Sequence, residues 1–199
     1  MIKDVEDLTK KVFNSSVLDI LTPGRFGIEK ESLRVSQSTI SRKQHQESMG
    51  SPLCHRYITT DFSEAQLELI TPPLIDKKKG LNFLENIHHF VSHKIEDEII
   101  WPFSMPPFIK SDAEIPIASY GSSNLALFKT TYRNGLSHRY GRTMQAISGI
   151  HVNYSFPEQI WQSTLFTNEN TDSQELRANI YFRTLRNLHR MNWLILYLF

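Results

Sequence analysis

Glu29 and Glu31 lie two residues apart in FGIEKESLRV, residues 26–35. In an extended chain, side chains at i and i+2 share a face. The two carboxylates are then neighbours about 7 Å apart, and Leu33 and Val35 continue their face. Carboxylates this close repel unless solvent or a cation separates them. A solvated edge strand satisfies that condition, and so does a cation site. Two more stretches divide the same way into one apolar and one polar, metal-competent face. In ITTDFSEAQLELIT, residues 58–71, Glu64, Gln66 and Glu68 alternate with Ala65, Leu67 and Leu69 before Pro72-Pro73 ends the strand. Asp61 lies seven residues before Glu68. Its Thr-Thr-Asp-Phe segment reads as a turn or a bulge, and a bulge breaks the two-residue period and returns Asp61 to the face of Glu68. In GIHVNYSF, residues 149–156, His151, Asn153 and Ser155 form the polar face, and Ile150, Val152, Tyr154 and Phe156 the apolar one. A neutral imidazole there can be a ligand, a base or a hydrogen-bond partner.

Helices and loops must position these strands. Val5, Leu8, Val12 and Phe13 give residues 4–21 the period of an amphipathic helix, and a Thr22-Pro23-Gly24 turn leads into the first strand. Residues 36–52 are polar and aperiodic and read as a surface loop, with His45 and His55 solvated in or beside it. Leu81, Leu84, Ile87, Val91 and Ile95 predict a helix over residues 80–100. His89 and His93 have zinc-helix spacing, but no acid follows His89 and no cysteine supports a site. Tyr120-Gly-Ser-Ser-Asn124 is a turn able to cap the next helix, residues 125–147, bent near Gly135 and Gly141. Lys129, Arg133, Arg139 and Arg142 make that helix basic, with Tyr132 and Tyr140 between them. These charges do not form one stripe, which argues against nucleic acid and suits an anionic small substrate. A last helix covers residues 173–199, opened by an Asp172/Glu175 capping box. It ends in LILYLF without a cap, which reads as an interruption.

Composition bounds the rest. The 199 residues suffice for one large domain. A net charge of +1 supplies no field toward nucleic acid or an anionic membrane. Cys54 is the single cysteine, which excludes an internal disulfide and fits a reducing cytosol. The N-terminus lacks the apolar core of a signal peptide, and the longest apolar run, residues 193–199, is too short to span a bilayer. The expected location is the cytoplasm, with no membrane partner.

Six segments in order resemble the proteobacterial type of glutamate–cysteine ligase: Gly27-Ile-Glu-Lys-Glu-Ser-Leu-Arg34; Ile58-Thr-Thr-Asp-Phe62 with Glu68-Leu-Ile-Thr-Pro72; Trp101-Pro-Phe-Ser-Met-Pro106; Tyr120-Gly-Ser-Ser-Asn124; Lys129-Thr-Thr-Tyr-Arg133; and Met144-Gln-Ala-Ile-Ser-Gly-Ile-His151. The resemblance implies an α+β fold, with a glutamine-synthetase-like antiparallel sheet whose polar face holds the active site and whose back is covered by helices. It implies that residues 1–199 are the N-terminal part of a single catalytic domain. The implied reaction is the first step of glutathione synthesis, in which ATP, L-glutamate and L-cysteine give γ-glutamylcysteine, ADP and phosphate through γ-glutamyl phosphate. The resemblance makes Glu29, Glu31, Asp61 and Glu68 the carboxylates that bind Mg2+, or Mn2+ in its place, and puts His151 at the metal or glutamate site. It maps the cysteine pocket onto Phe62, Tyr132, Leu136 and Gln145. Arg133 is added as a cation near the phosphoryl or carboxylate group.

Family members are much longer. A C-terminal half would supply further strands, acidic ligands, and residues for glutamate and nucleotide. Leu196 stands where the pattern has a proline. Two other readings stay open: a non-catalytic remnant or fragment of this ligase, and a related carboxylate–amine ligase with another amine acceptor.

Overall fold

A computed structural model describes Lys10, Asp19, residues 22–162 and residues 173–198. The helix expected over residues 4–21 falls outside the described residues except at Lys10 and Asp19, both helical, and the Asp172 cap falls outside them too. The chain divides into two compact units. One is Arg25–Ser155; the other gathers Met1–Gly24 and Phe156–Phe199.

The Arg25–Ser155 unit is built on β1, Arg25–Ser36. This strand is the middle of an antiparallel sheet, not an edge. It pairs with β2 (Thr39–Ile40), β4 (Gln66–Ile70), β5 (Ile99–Ile100) and β6 (Ile150–Ser155), and β3 (Ile58–Thr60) adds beyond β4. The unit is therefore α+β with an antiparallel sheet, as expected.

Alternation of apolar and polar residues separates two cores. Ile58, Leu67 and Leu69 project from the back of the sheet onto Ile87, Val91 and Ile95, on or just past α2 (Lys77–Lys94). Each such aliphatic side chain, once buried, contributes about 1.5–3 kcal/mol. α2 begins and ends earlier than its apolar period predicts. The Asp76 carboxylate caps the N–H groups of Lys78 and Lys79, and the chain leaves the helix after Lys94 to form β5. Leu81, expected in the stripe, is exposed. On the other side, Leu33, Val35, Phe62, Ala65, Ile115 and Ala146 form a second cluster.

Two expectations need correction, and a third is decided. Residues 58–71 form a hairpin, so of the turn and the bulge open at Asp61 it is the turn that forms. β3 and β4 pair in register Thr59↔Glu68, and residues 61–65 are the turn. The basic helix is two helices, α3 (Asn124–Tyr140) and α4 (Arg142–Gln145). The break is at Gly141, with φ 78°, where the Asp112 carboxylate receives the N–H groups of Arg142 and Thr143 and so starts the new helix. The Ser36–Pro52 loop carries β2 and a short helix, α1 (His45–Met49).

His45 is buried rather than solvated. Burial first, then the Arg34 guanidinium and His55, lower its pKa from 6.5 to about 4. In the folded chain the ring stays neutral at pH values where the unfolded chain protonates it. Stability is then complete above about pH 6.5 and declines as pH falls from 6.5 toward 4. His45→Met removes this titration. The variant's melting temperature is expected to fall less than that of the unaltered chain between pH 7 and 4.5, and parallel pH profiles would contradict the assignment.

In the other unit, α5 spans Ser173–Leu198. Phe156, Trp161 and Tyr181 stack with ring centroids 5.3–6.0 Å apart, and the Phe156 N–H donates to the Tyr181 hydroxyl. Leu176 is buried, whereas Leu185, Leu188, Trp193, Leu196 and Leu198 are exposed. Among the described residues no helix is long and apolar enough to cross a membrane.

Candidate active site

Sheet register brings the acidic residues together. Glu31 lies directly across from Glu68, and Glu29 directly across from His151. Directly paired side chains in an antiparallel sheet have Cβ atoms about 5 Å apart, so the Glu31–Glu68 pair faces like charge at close range. His151 Nδ1 is 3.6 Å from a Glu29 oxygen and 3.8 Å from a Glu31 oxygen. Asp61 reaches this group because the hairpin turn follows Thr60. Its Coulombic partners are Glu31, Glu68, His151 and Arg133.

Each acid has its own surroundings. The Glu31 side chain is 10 % exposed and accepts the Gly149 N–H at 2.8 Å. Burial raises its pKa, opposed by that bond; Asp61 and Glu29 raise it further and His151 lowers it. Burial also raises Asp61, against the Arg133 guanidinium. Glu68 moves furthest, to about 7, through burial and then Asp61, Glu29 and Glu31. Glu29 is more open and accepts the Asn153 amide at 2.8 Å. His151 is 60 % exposed, on a strand whose apolar side, Ile150 and Val152, is exposed as well instead of packed.

Among the described residues, no three His, Cys, Asp or Glu side chains close on one point as they would around an ion. The donor set nevertheless fits a hard divalent cation. It offers carboxylate oxygens on one face, where burial first and then the neighbouring carboxylates raise the Glu68 pKa. His89 and His93 form no comparable group; the ring of His93 bonds the His89 carbonyl.

The expected cysteine-pocket residues are brought together only in part. Phe62 is in the front core and Leu136 packs against it. Gln145 closes α4 beside the buried Ala146. Tyr132, one helical turn before Leu136, is 59 % exposed. The Nε of Arg133 donates to the Asp61 carbonyl at 2.5 Å and Nη1 donates to the Lys129 carbonyl at 3.1 Å.

Glu64 leaves the polar front, whereas Gln66 keeps the face of Glu68, directly across from Leu33. Glu64 is buried under the turn, its carboxylate accepting the N–H groups of His45 and Ser119, and Gln66 is fully buried. The strand period fails for Glu64 because it lies in the turn, before β4 begins at Gln66. Sequence reasoning also missed the Gly149 N–H on Glu31, a backbone donor that residue type does not mark. It missed as well a cleft of about 330 Å³ at the Glu29 end of the sheet, lined by Arg25, Glu29, Ile70, Thr71, Asn153 and Tyr154 among others.

Known proteins resemble this chain in sequence and in fold. The family model described as glutamate–cysteine ligase matches residues 9–199. A glutamate–cysteine ligase of Alcanivorax borkumensis is 44 % identical over 99 % of this chain and 38 % of its own length; one from Yersinia pseudotuberculosis is 48 % identical over 88 % and 34 %. The crystal structure of the Francisella tularensis glutamate–cysteine ligase in complex with AMP superposes with a TM-score of 0.78 at 38 % identity, over 86 % of this chain and 34 % of that one. A bifunctional glutathione synthetase from Pasteurella multocida gives 0.81 at 33 %, over 94 % and 24 %. The chain belongs to the glutamate–cysteine ligase family. It spans about a third of the length of the curated relatives it matches.

Proposed function

We propose that this chain is the N-terminal part of a catalytic domain that joins the side-chain carboxylate of L-glutamate to the amine of L-cysteine at the expense of ATP. The single observation that carries this is the gathering of Glu29, Glu31, Asp61, Glu68 and His151 on one sheet face within the span matched to the family. AMP in the Francisella relative supports a nucleotide.

Those four carboxylates, with His151, would hold Mg2+, or Mn2+ in its place. When bound, the cation neutralises phosphate charge during phosphoryl transfer. The chain's own residues divide the remaining work. The cleft of about 330 Å³ beside Glu29 takes the nucleoside end of ATP, with Ile70 and Tyr154 as apolar walls and Arg25 and Thr71 as polar ones. Phe62, Leu136, Tyr132 and Gln145 flank the cysteine. Arg133, already on the turn of Asp61, adds positive charge near the transferring group. A γ-carboxylate oxygen of glutamate attacks the terminal phosphorus and ADP leaves. The cysteine amine then attacks the acyl carbon and expels phosphate, and its proton passes to the departing phosphate. The remaining length of the relatives would complete the ligand sets. ATP and a free thiol substrate suit the cytoplasm.

The rival is a ligase with another amine acceptor. A full-length ligase carrying this sequence, given Mg-ATP, glutamate and a panel of amines, is expected to show its highest kcat/KM with cysteine. The flanking apolar groups accept a small side chain and discriminate one methylene by about tenfold or more. Preference for a different amine would replace the proposed substrate.

A further inference from the structure

Asp61 lies on a hairpin turn, and a turn by itself is a poor place from which to hold a side chain to sub-ångström tolerance. This turn is tied down from behind by groups that do not belong to the acidic face. The Tyr120 hydroxyl lies 3.0 Å from the Thr60 carbonyl and 3.2 Å from the Asp61 carbonyl, and it accepts from the Thr60 hydroxyl at 3.0 Å. The ring is 3 % exposed, with the Arg133 guanidinium 4.8 Å and the Lys129 ammonium 5.2 Å from its centroid. Both cations are drawn to the ring's negative face, so the ring is fixed as well as the hydroxyl.

Glu64 secures the other end of the turn. It is 5 % exposed, yet both carboxylate oxygens are satisfied, by the His45 N–H at 2.6 Å and the Ser119 N–H at 2.7 Å. Its own N–H donates to the Pro116 carbonyl at 2.9 Å, and its carbonyl accepts from Arg34 Nη2 at 3.0 Å. Charge-assisted bonds of this kind are about twice as strong as neutral ones. Ser119 precedes Tyr120, so the two restraints share one segment.

We infer that Tyr120 and Glu64 are positioning residues for Asp61, fixing the backbone of its turn so that the carboxylate stands among Glu31, Glu68 and His151. The inference rests on the proposed cation-binding role of that face. Neither residue touches substrate in this account.

The test uses a full-length ligase carrying this sequence, titrated with Mn2+, with free Mn2+ read by electron paramagnetic resonance. Tyr120→Phe keeps the ring and its cation contacts and removes only the hydroxyl. It is expected to weaken Mn2+ binding about tenfold, the usual size for a group supporting a metal ligand, while the thermal midpoint in EDTA moves by about 4 °C or less. In an Asp61→Asn background the same substitution is expected to cost nothing further, because its effect acts through Asp61. Glu64→Gln, an independent handle, is expected to show the same loss and the same non-additivity. Unchanged affinity in both variants, or losses that add fully to that of Asp61→Asn, would overturn the inference and leave the cation site standing. No Mn2+ binding by the unaltered full-length protein would instead overturn the cation-binding role of the face, and this inference with it.

Discussion

Glu68→Gln in a full-length ligase carrying this sequence is expected to lower kcat about a thousandfold while raising the melting temperature of the metal-free protein. The two effects have one cause. Glu68 faces Glu31 directly across the sheet and is buried enough, with Asp61 and Glu29 also near, for its pKa to rise to about 7. Directly opposed like charges in an antiparallel pair destabilise it. Replacing one of them with a neutral amide of the same size relieves that repulsion, and the apolar back of β4, Leu67 and Leu69, is untouched. The amide cannot replace an anionic oxygen toward a divalent cation, and misplacing charge around a phosphoryl group costs several kcal/mol of transition-state stabilisation, about 4 for a thousandfold loss. Steady-state kinetics with Mg-ATP, and thermal melting in EDTA, check the pair. Near-normal kcat would remove Glu68 from the site, and a lower melting temperature in EDTA would refute the electrostatic argument.

Arg34→Met is expected to be the most damaging single change to stability, by about 3–5 kcal/mol, because it leaves a buried carboxylate without its cation. The Arg34 and Glu98 side chains are both fully buried, and Nη1 donates to Glu98 Oε2 at 2.8 Å. Nη2 donates to the carbonyls of Lys43 and Glu64, so one guanidinium ties the β2–α1 loop and the Asp61 turn to β1. Removing Arg34 strands the Glu98 charge and releases both carbonyls. Arg34→Met combined with Glu98→Met removes the stranded charge and is expected to recover much of the loss, since well-packed apolar pairs often equal buried ion pairs. Urea denaturation of the three proteins measures this. A single-variant loss below about 1 kcal/mol, or a double variant no better than the single, would contradict it.

The sequence made the shared face of Glu29 and Glu31 on β1, and the polar face of β6, legible because each stretch runs as an uninterrupted strand. Glu29, Glu31 and His151 therefore fall where period two puts them. At Asp61 the sequence leaves a turn and a bulge both open. The reversal at residues 61–65 contains neither glycine nor proline, the usual marks of a turn. The turn is imposed from outside, by Tyr120, Arg133 and Pro116, all of them about 50 to 70 residues away. Long-range bonds of this kind leave no local trace. The same holds for His45, whose polar neighbourhood predicts solvent but whose ring is enclosed by the loop's return onto β1. Gly141 was visible as a bend, and only the distant Asp112 carboxylate makes it a full break.

The most direct test of the central claim is ADP release by a full-length ligase carrying this sequence, with Mg-ATP and glutamate, in the presence and absence of cysteine. The account predicts cysteine-dependent ADP in step with γ-glutamylcysteine, lost when Glu31 is replaced by Gln. Cysteine-dependent release that survives Glu31→Gln, or no cysteine-dependent release from the unaltered enzyme, would contradict it.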